Sequence, residues 1–247
     1  MTRLRVLLVL LVLPLATDAG CARNSASDRV ASAAPAAAGG VSPREAADGW
    51  RPLFNGRTLA GWRGYRRATP PAGWQVVDGA ITRVAEGGDL VTDEEFGSFE
   101  LALEWKISPG GNSGIIYHVV EDSSLAYVWQ SGPEYQVLDN AGHADGRDPM
   151  TSAGSDFALY APVRDVTRPV GEWNSARIVV NGSHVEHWMN GVKLLEYELG
   201  SPEWERRVQA SKFRTMPRYG RGARGHIALQ EHEAWVAYRN IRIRPLP

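Results

Sequence analysis

Phe99-Glu100-Leu101-Ala102-Leu103-Glu104-Trp105-Lys106-Ile107 places a large apolar side chain at every odd position and Glu, Ala, Glu and Lys at the even ones. A period of two marks a strand with one buried face and one wet or functional face. The same rhythm extends outward from it. Arg177-Ile178-Val179-Val180, His184-Val185-Glu186-His187-Trp188-Met189 and Lys193-Leu194-Leu195-Glu196-Tyr197 are separated by Asn181-Gly182 and Asn190-Gly191. Asn-Gly supplies the positive φ angles of a type I′ turn, so these three segments read as a meander. Asp78-Gly79 does the same between Trp74-Gln75-Val76-Val77 and Ala80-Ile81-Thr82. His226-Ile227-Ala228-Leu229-Gln230 and Trp235-Val236-Ala237-Tyr238, running on through Ile241 and Ile243, close the pattern. One short helix is predicted after Ser201, with Pro202 in its first position and Trp204 and Val208 on one face. Many short strands, tight turns and one helix specify an all-β antiparallel sandwich or barrel, not a parallel α/β sheet.

Composition narrows the partners. The 247 residues carry 27 Lys+Arg against 28 Asp+Glu, a net charge of -1, which leaves no electrostatic footprint for nucleic acid. A single Cys excludes a disulfide framework and a Cys-rich zinc site. Nine Trp are an expensive choice unless flat apolar surfaces such as sugar rings must be covered. At the start, Arg3 and Arg5 precede the apolar run Val6-Leu7-Leu8-Val9-Leu10-Leu11-Val12-Leu13, a signal peptide too short to span a bilayer. Cys21 follows Ala19-Gly20, where a bacterial lipoprotein signal carries its acylated Cys, although Asp18 stands where such signals usually have an apolar residue. Residues 1 to 21 are therefore expected to be a lipoprotein signal. Residues 22 to 48, small and rich in Ala, Pro and Gly, read as a flexible spacer before a domain spanning 49 to 247. This layout predicts an exported, periplasmic or outer-membrane-anchored protein that meets the membrane only through a lipid.

A longer set of motifs points to a family. Leu53-Phe54-Asn55-Gly56 with Gly61-Trp62, Val77-Asp78-Gly79, Gly111-Asn112-Ser113-Gly114-Ile115 and Glu134-Tyr135-Gln136-Val137-Leu138-Asp139-Asn140 occur in order. Gly171-Glu172-Trp173-Asn174, His187-Trp188-Met189-Asn190-Gly191, Leu229-Gln230-Glu231-His232 and Arg239-Asn240-Ile241 continue it. From Trp50 to Pro247 the chain resembles the 3-keto-disaccharide hydrolase domain family. It departs at Glu231-His232-Glu233, where many relatives have Asp-His-Gly. The resemblance implies a two-sheet jelly-roll sandwich of the concanavalin A-like lectin and glucanase type, with sugar bound on a concave face. It implies a hydrolase that cleaves the glycosidic bond of 3-keto-glycosides or 3-keto-disaccharides. The laminarinase pattern Glu-x-Asp-x-x-Glu is absent. Glu100 and Glu104 lie roughly 13 Å apart along a strand, whereas a retaining glycosidase pair needs about 5–5.5 Å.

A ketone at C3 allows an easier route. It acidifies the C2 proton, so a base can remove that proton and expel the aglycone from C1; water then adds back, or an enone departs as a lyase product. The site needs a general base, a partner for the C3 oxygen and an acid for the leaving group. Glu134 and Gln136 share one strand face roughly 7 Å apart, and two long polar side chains on an apolar strand need partners. Asp139 ends that strand, and His143 and Asp145 follow in the loop. The expected catalytic residues are Glu134, Asp139, His143 and His232. The expected substrate contacts are Glu104, Asn112, Ser113, Tyr117, Trp129, Gln136 and Gln230. Asp139, His143 and Asp145 are the candidates for holding a divalent cation, the one cofactor in view. His226 alternates with Gln230 and His232 and could line the same cleft. Lys212, Arg214, Arg218, Arg221 and Arg224 read as a solvated lid rim, the alternative being contact with an anionic sugar.

No nucleophile elbow, phosphate-binding Gly-rich loop with Lys or dinucleotide fingerprint is present. Oxidation to the 3-keto sugar must then fall to a separate sugar 3-dehydrogenase. The competing expectations are a 3-keto-glycoside 1,2-lyase and a non-catalytic carbohydrate-binding module.

Overall fold

Thirteen strands carry the described part of the chain, residues 41–247 of a computed structural model. The signal peptide, Cys21 and most of the proposed spacer lie outside the described residues. In chain order the first seven strands are β1 (Arg51–Pro52), β2 (Trp62–Gly64), β3 (Trp74–Val77), β4 (Ala80–Arg83), β5 (Leu90–Thr92), β6 (Phe99–Ile107) and β7 (Asn112–Val119). The others are β8 (Glu134–Leu138), β9 (Asn174–Asn181), β10 (His184–Met189), β11 (Val192–Glu198), β12 (His226–Leu229) and β13 (Val236–Pro245). They make two sheets. The larger runs β11-β10-β9-β6-β13-β4-β3 with β1 on β13, and the smaller runs β2-β5-β12-β7-β8. The chain passes repeatedly between sheets, and every named pair is antiparallel, giving a jelly-roll sandwich.

The alternation in β6 explains the packing. Phe99, Leu101, Leu103, Trp105 and Ile107 are all buried and meet Ile115, Tyr117, Tyr135, Val137 and Leu229 of the smaller sheet in one core. Burying such side chains contributes about 1.5–3 kcal/mol each. The even positions face outward and are neutralised. Arg177 and Arg244 clamp Glu100, and Lys106 lies over Trp173 at 4.7 Å. Arg239 also covers Trp173, at 4.1 Å, and Arg177 covers Trp188, at 4.9 Å. These Trp faces are covered by the protein's own cations.

Two of the three expected turns have the type I′ pattern. Asp78 and Gly79 have φ of +49° and +76°, and Asn190 and Gly191 have +50° and +80°. The third is shifted by one residue. Asn181 pairs with His184, so the loop is Gly182-Ser183, and only Gly182 has positive φ, at +61°. One positive φ at the first loop position is the type II′ pattern.

The predicted helix is present as α2, Pro202–Ala210, after a first helix α1, Pro43–Ala47. Ser201 Oγ accepts from the Trp204 N–H at 3.1 Å, and Trp204 and Val208 are buried as the spacing implied. α1 was not expected and falls inside the segment read as spacer. A Ser42–Glu45 capping box starts it, and Glu45 pairs with Arg242 at 3.2 Å, tying residues 42–47 to β13.

Glu233 has a φ of +58° and an exposed side chain. Its N–H donates to Glu231 Oε1 at 3.0 Å, and its carbonyl accepts from Arg83, so the backbone is held in a conformation that suits Gly. Replacing Glu233 by Gly should raise stability by about 0.5–1 kcal/mol, the strain relief exceeding the added chain entropy. A higher urea midpoint with unchanged slope is the expected result.

Candidate active site

Strand β8 turns Tyr135 and Val137 into the core and Glu134 and Gln136 to the outer face of the smaller sheet. Beside them, β7 contributes Asn112 and Gly114, with Gly114 opposite Gln136. A cavity of about 210 Å³ opens over this patch. Asn112, Glu134, Gln136 and Gln230 line it together with Asp145, His232, Lys212, Trp129 and Phe157.

Glu134 is nearly inaccessible. A Cβ on residue 114 would sit 2.4 Å from its Oε1, so the carboxyl lies directly against the Gly114 backbone. The hydrogen-bonding surroundings assign the Gln136 amide the orientation in which its nitrogen donates to Glu134 Oε1 at 3.1 Å and to the Ser113 carbonyl at 3.0 Å. Burial pushes the Glu134 carboxyl up to about 7. The Lys212 charge opposes this, and the Asp89 and Asp145 charges add to it.

The outer edge of β8 is closed by an irregular segment. Gly154 N–H donates to the Gln136 carbonyl at 2.8 Å, Gln136 N–H to the Ser155 carbonyl at 3.1 Å, and Phe157 N–H to the Glu134 carbonyl at 3.0 Å. This pairing carries Phe157 to the cavity and sends Asp156 inward. Asp156 is fully buried, neither of its oxygens closes a hydrogen bond of ordinary geometry among the described residues, and burial pushes it up to about 8 against the opposing effect of the nearby Tyr197 hydroxyl. Asp89 is pushed up to about 6 by burial and accepts from the Glu231 N–H at 2.9 Å.

Two imidazoles stand at the rim. The His143 and His232 rings lie edge to face, 6.4 Å apart. The Asp145 N–H donates to His143 Nδ1 at 3.1 Å, which assigns the proton of the neutral ring to Nε2. Asn112 Nδ2 donates weakly to Asp145 Oδ2 at 3.4 Å. Trp129 lies parallel to Tyr127 at 5.3 Å.

The structure therefore brings Asn112, Trp129, Glu134, Gln136, Gln230 and His232 around one cavity, with His143 next to His232. It places other expected site residues elsewhere. Ser113 points into the core, bonded to the Gln230 carbonyl and the Tyr238 hydroxyl, each at 2.7 Å. Tyr117 is buried between the sheets, its hydroxyl 2.6 Å from that of Tyr197 and 3.1 Å from His187 Nε2. Both belong to the core register of β7, which the short Gly-rich motif did not reveal. Glu104 is on the larger sheet and bonds Arg239 Nε at 2.5 Å and Asn240 Nδ2 at 3.1 Å. His226 is buried near Arg63 and Glu95.

Asp139 is a structural carboxylate. Its oxygens accept from the Gly110 N–H at 2.7 Å and the Ala141 N–H at 3.1 Å, fixing the strand end and the loop after it. It lines a different, larger cavity of about 300 Å³ with Asn140 and Asp165. Several polar groups there are already paired: Asp165 accepts from Asn140 Nδ2 at 3.0 Å and from the Thr167 hydroxyl at 2.7 Å. With Asp139 so engaged, Asp139, His143 and Asp145 do not converge as a metal triad. Among the described residues, the three-residue set whose ligand atoms fall within 4.8 Å of one another is His184, Glu186 and Glu196, on the outer face of the β10–β11 hairpin.

Lys212 is the main departure from the sequence reading. Arg218, Arg221 and Arg224 form surface ion pairs with Asp122, Glu205 and Glu95, as a solvated rim would. Lys212, although exposed, instead reaches over the cavity, its Nζ above the rings of Phe157 at 4.2 Å and Trp129 and Phe213 at 5.1 Å. Burial pushes its amine below the ordinary lysine range, against the pull of Glu134 and Asp145.

Fold and site together define a β-sandwich with a cleft lined by ionisable and amide side chains on the outer face of its smaller sheet. The chain belongs to the family described as the 3-keto-alpha-glucoside-1,2-lyase-like domain, whose model matches residues 49–244. A relative from Bacteroides thetaiotaomicron named 3-keto-disaccharide hydrolase is 37% identical, covering 81% of this chain and 79% of that protein. A solved structure from Parabacteroides distasonis, assigned as a glycosyl hydrolase, superposes with a TM-score of 0.79 at 32% identity, over 84% of this chain and 98% of the other. A second from the same organism, with the same assignment, gives 0.62 at 28% identity, over 80% and 99%.

The raised Glu134 acidity carries a stability consequence. Between pH 4.5 and about 7 the folded protein holds a proton that the unfolded chain releases, so this group costs stability as pH rises through that window. Glu134→Gln should therefore be more stable than the parent at pH 8, by on the order of 2–3 kcal/mol, and no more stable at pH 4. Urea unfolding at the two pH values measures the difference.

Proposed function

We propose that the chain cleaves the glycosidic bond of 3-keto-glycosides or 3-keto-disaccharides by removing the C2 proton and expelling the aglycone, with hydrolysis as the net reaction. One observation carries the reading: Glu134, buried and without a salt bridge among the described residues, shares a small cleft with Lys212, several amides and His232, which has His143 beside it. The name of the 37%-identical relative supports the substrate class.

Each group has work to do in that reaction. Glu134, pushed up to about 7, is matched to take a weakly acidic C–H proton near neutral pH. Gln136 holds the carboxyl in place through Oε1. Charge that develops at the C3 carbonyl needs a partner, and Lys212 is the basic chain within the cavity, helped by the amides of Asn112 and Gln230. His232, with His143 beside it at the mouth, is placed to protonate the departing oxygen and then to activate water. Desolvated walls of Trp129 and Phe157 make these charge interactions stronger than in bulk water.

The same reading extends to the cell. We propose export of the protein, with Cys21 as a lipid attachment point, residues 1–21 as its signal and most of 22–48 as a tether. A sugar 3-dehydrogenase would supply the ketone.

Incubating the protein with a 3-keto-glucoside separates the readings. Free 3-keto-glucose is the expected product. An enone would make the protein a lyase with the same base, and unchanged substrate would leave a binding module. Glu134→Gln should lower kcat by about 10²–10⁴ with little change in KM. For the parent, kcat/KM should rise with pH through about 7, because the base acts only after it loses its proton. A profile that falls across that range would remove Glu134 as the base.

A further inference from the structure

Lys212 stands against the composition of the chain, which has 24 Arg and only 3 Lys. Basic side chains are almost always guanidinium here, and the three Arg paired beyond Lys212 are used in the ordinary way, at the surface. The residue that enters the cleft is an amine. Ser211 anchors it, its Oγ accepting from the Phe213 N–H at 3.1 Å at the start of the short 3-10 turn Lys212–Thr215. Among the described residues, Lys212 Nζ makes no hydrogen bond and no ion pair. Its neighbours are the faces of Phe157, Trp129 and Phe213, and it shares the cavity with Glu134 and Gln230. A guanidinium is always charged and is not a nucleophile, whereas a lysine amine held against aromatic faces at the cleft can lose its proton and attack a carbonyl. The substrate class in the proposed function carries that electrophile, a ketone at C3.

We propose that Lys212 bonds covalently to C3 of the 3-keto sugar, so that an enamine carries the elimination in place of a free enolate. This rests on the reading of the chain as a 3-keto-glycoside-cleaving enzyme. Nζ adds to the C3 carbonyl carbon, the carbonyl oxygen leaves as water, and an iminium forms. Glu134 takes the C2 proton, and the C2–H electron pair becomes the C2–C3 double bond of the enamine. The enamine nitrogen pushes its electron pair back, a C1–C2 double bond forms, and the C1–O bond breaks toward the aglycone, which leaves protonated by His232. Water adds at C1 of the conjugated iminium, C2 regains a proton from Glu134, and a second water hydrolyses the iminium to release 3-keto-glucose and the free amine. The water lost on condensation is recovered at the last step, so the net reaction consumes one water. No outside oxidant or reductant takes part. A protonated imine is a far better electron sink than a neutral ketone, which is the gain over the enolate route.

The test is reductive trapping on the full chain. A 3-keto-glucoside is added with sodium cyanoborohydride, which reduces iminium ions in preference to ketones, and the digest is analysed by mass spectrometry. The expected result is a reduced sugar adduct on Lys212 and on neither Lys106 nor Lys193. In Glu134→Gln the adduct should still form while turnover is lost, because condensation precedes proton abstraction. Lys212→Arg keeps the charge and removes the nucleophile, so the adduct should vanish and kcat should fall at least 100-fold with an unchanged melting curve. Alkylating Lys212→Cys with 2-bromoethylamine, which rebuilds an amine of nearly the same length, should restore both. Turnover without any adduct overturns the imine and leaves the proposed function intact. So does a Lys212→Arg variant within tenfold of the parent. Neither turnover nor adduct overturns both.

Discussion

The carboxyl of Glu134 is buried against a backbone that has no side chain of its own at Gly114, and no arginine comes to meet it. Desolvation of that one acid organises the cleft. It raises the carboxyl into the range where it can exchange a proton near neutrality, and it makes the approach of Lys212 favourable. It also requires the neighbouring amide of Gln136 to donate to Oε1. An acid treated this way destabilises the fold unless something else is gained, so its persistence in a well-packed sheet argues for use.

The two outer faces of the sandwich show the contrast. On the larger sheet, Glu100 and Glu104 are each matched by arginine, and the intervening Trp residues are covered by cations. That face is electrostatically closed. On the smaller sheet, among the described residues, Glu134 and Lys212 share a cavity and form no ion pair within 4 Å, while Arg218, Arg221 and Arg224 nearby are each paired at the surface. The same strand alternation produces both faces; the difference lies in what the loops bring over them.

Much of the frame was legible beforehand. β6 declared its core face through five odd-numbered apolar residues, and α2 declared its cap and its buried pair. Glu134 and Gln136 were visible as long polar groups on one face of an apolar strand. Ser113 and Tyr117 were misread because proximity to Asn112 in sequence says nothing about face, and alternation turns odd and even positions of β7 to opposite sides of the sheet. Asp139 was misread because a carboxylate beside a His looks reactive until its oxygens are seen to hold backbone N–H groups. Phe157 and Asp156 carried no local signal. They reach β8 only because residues 154–157 pair with its edge.

By itself the sequence determined the strand periods, the positive-φ turns at 78–79 and 190–191, the helix start at Ser201 and the family pattern, since each of these depends on neighbours a few residues away. Tertiary structure alone decided which polar groups share one cleft. Lys212 is 78 positions from Glu134 in the chain, and nothing local distinguishes it from a surface rim residue. Only the sheet-to-loop packing buries Glu134 and brings the Lys212 amine over the same cleft, and loss of water around the acid, partial around the amine, is what alters their acidity.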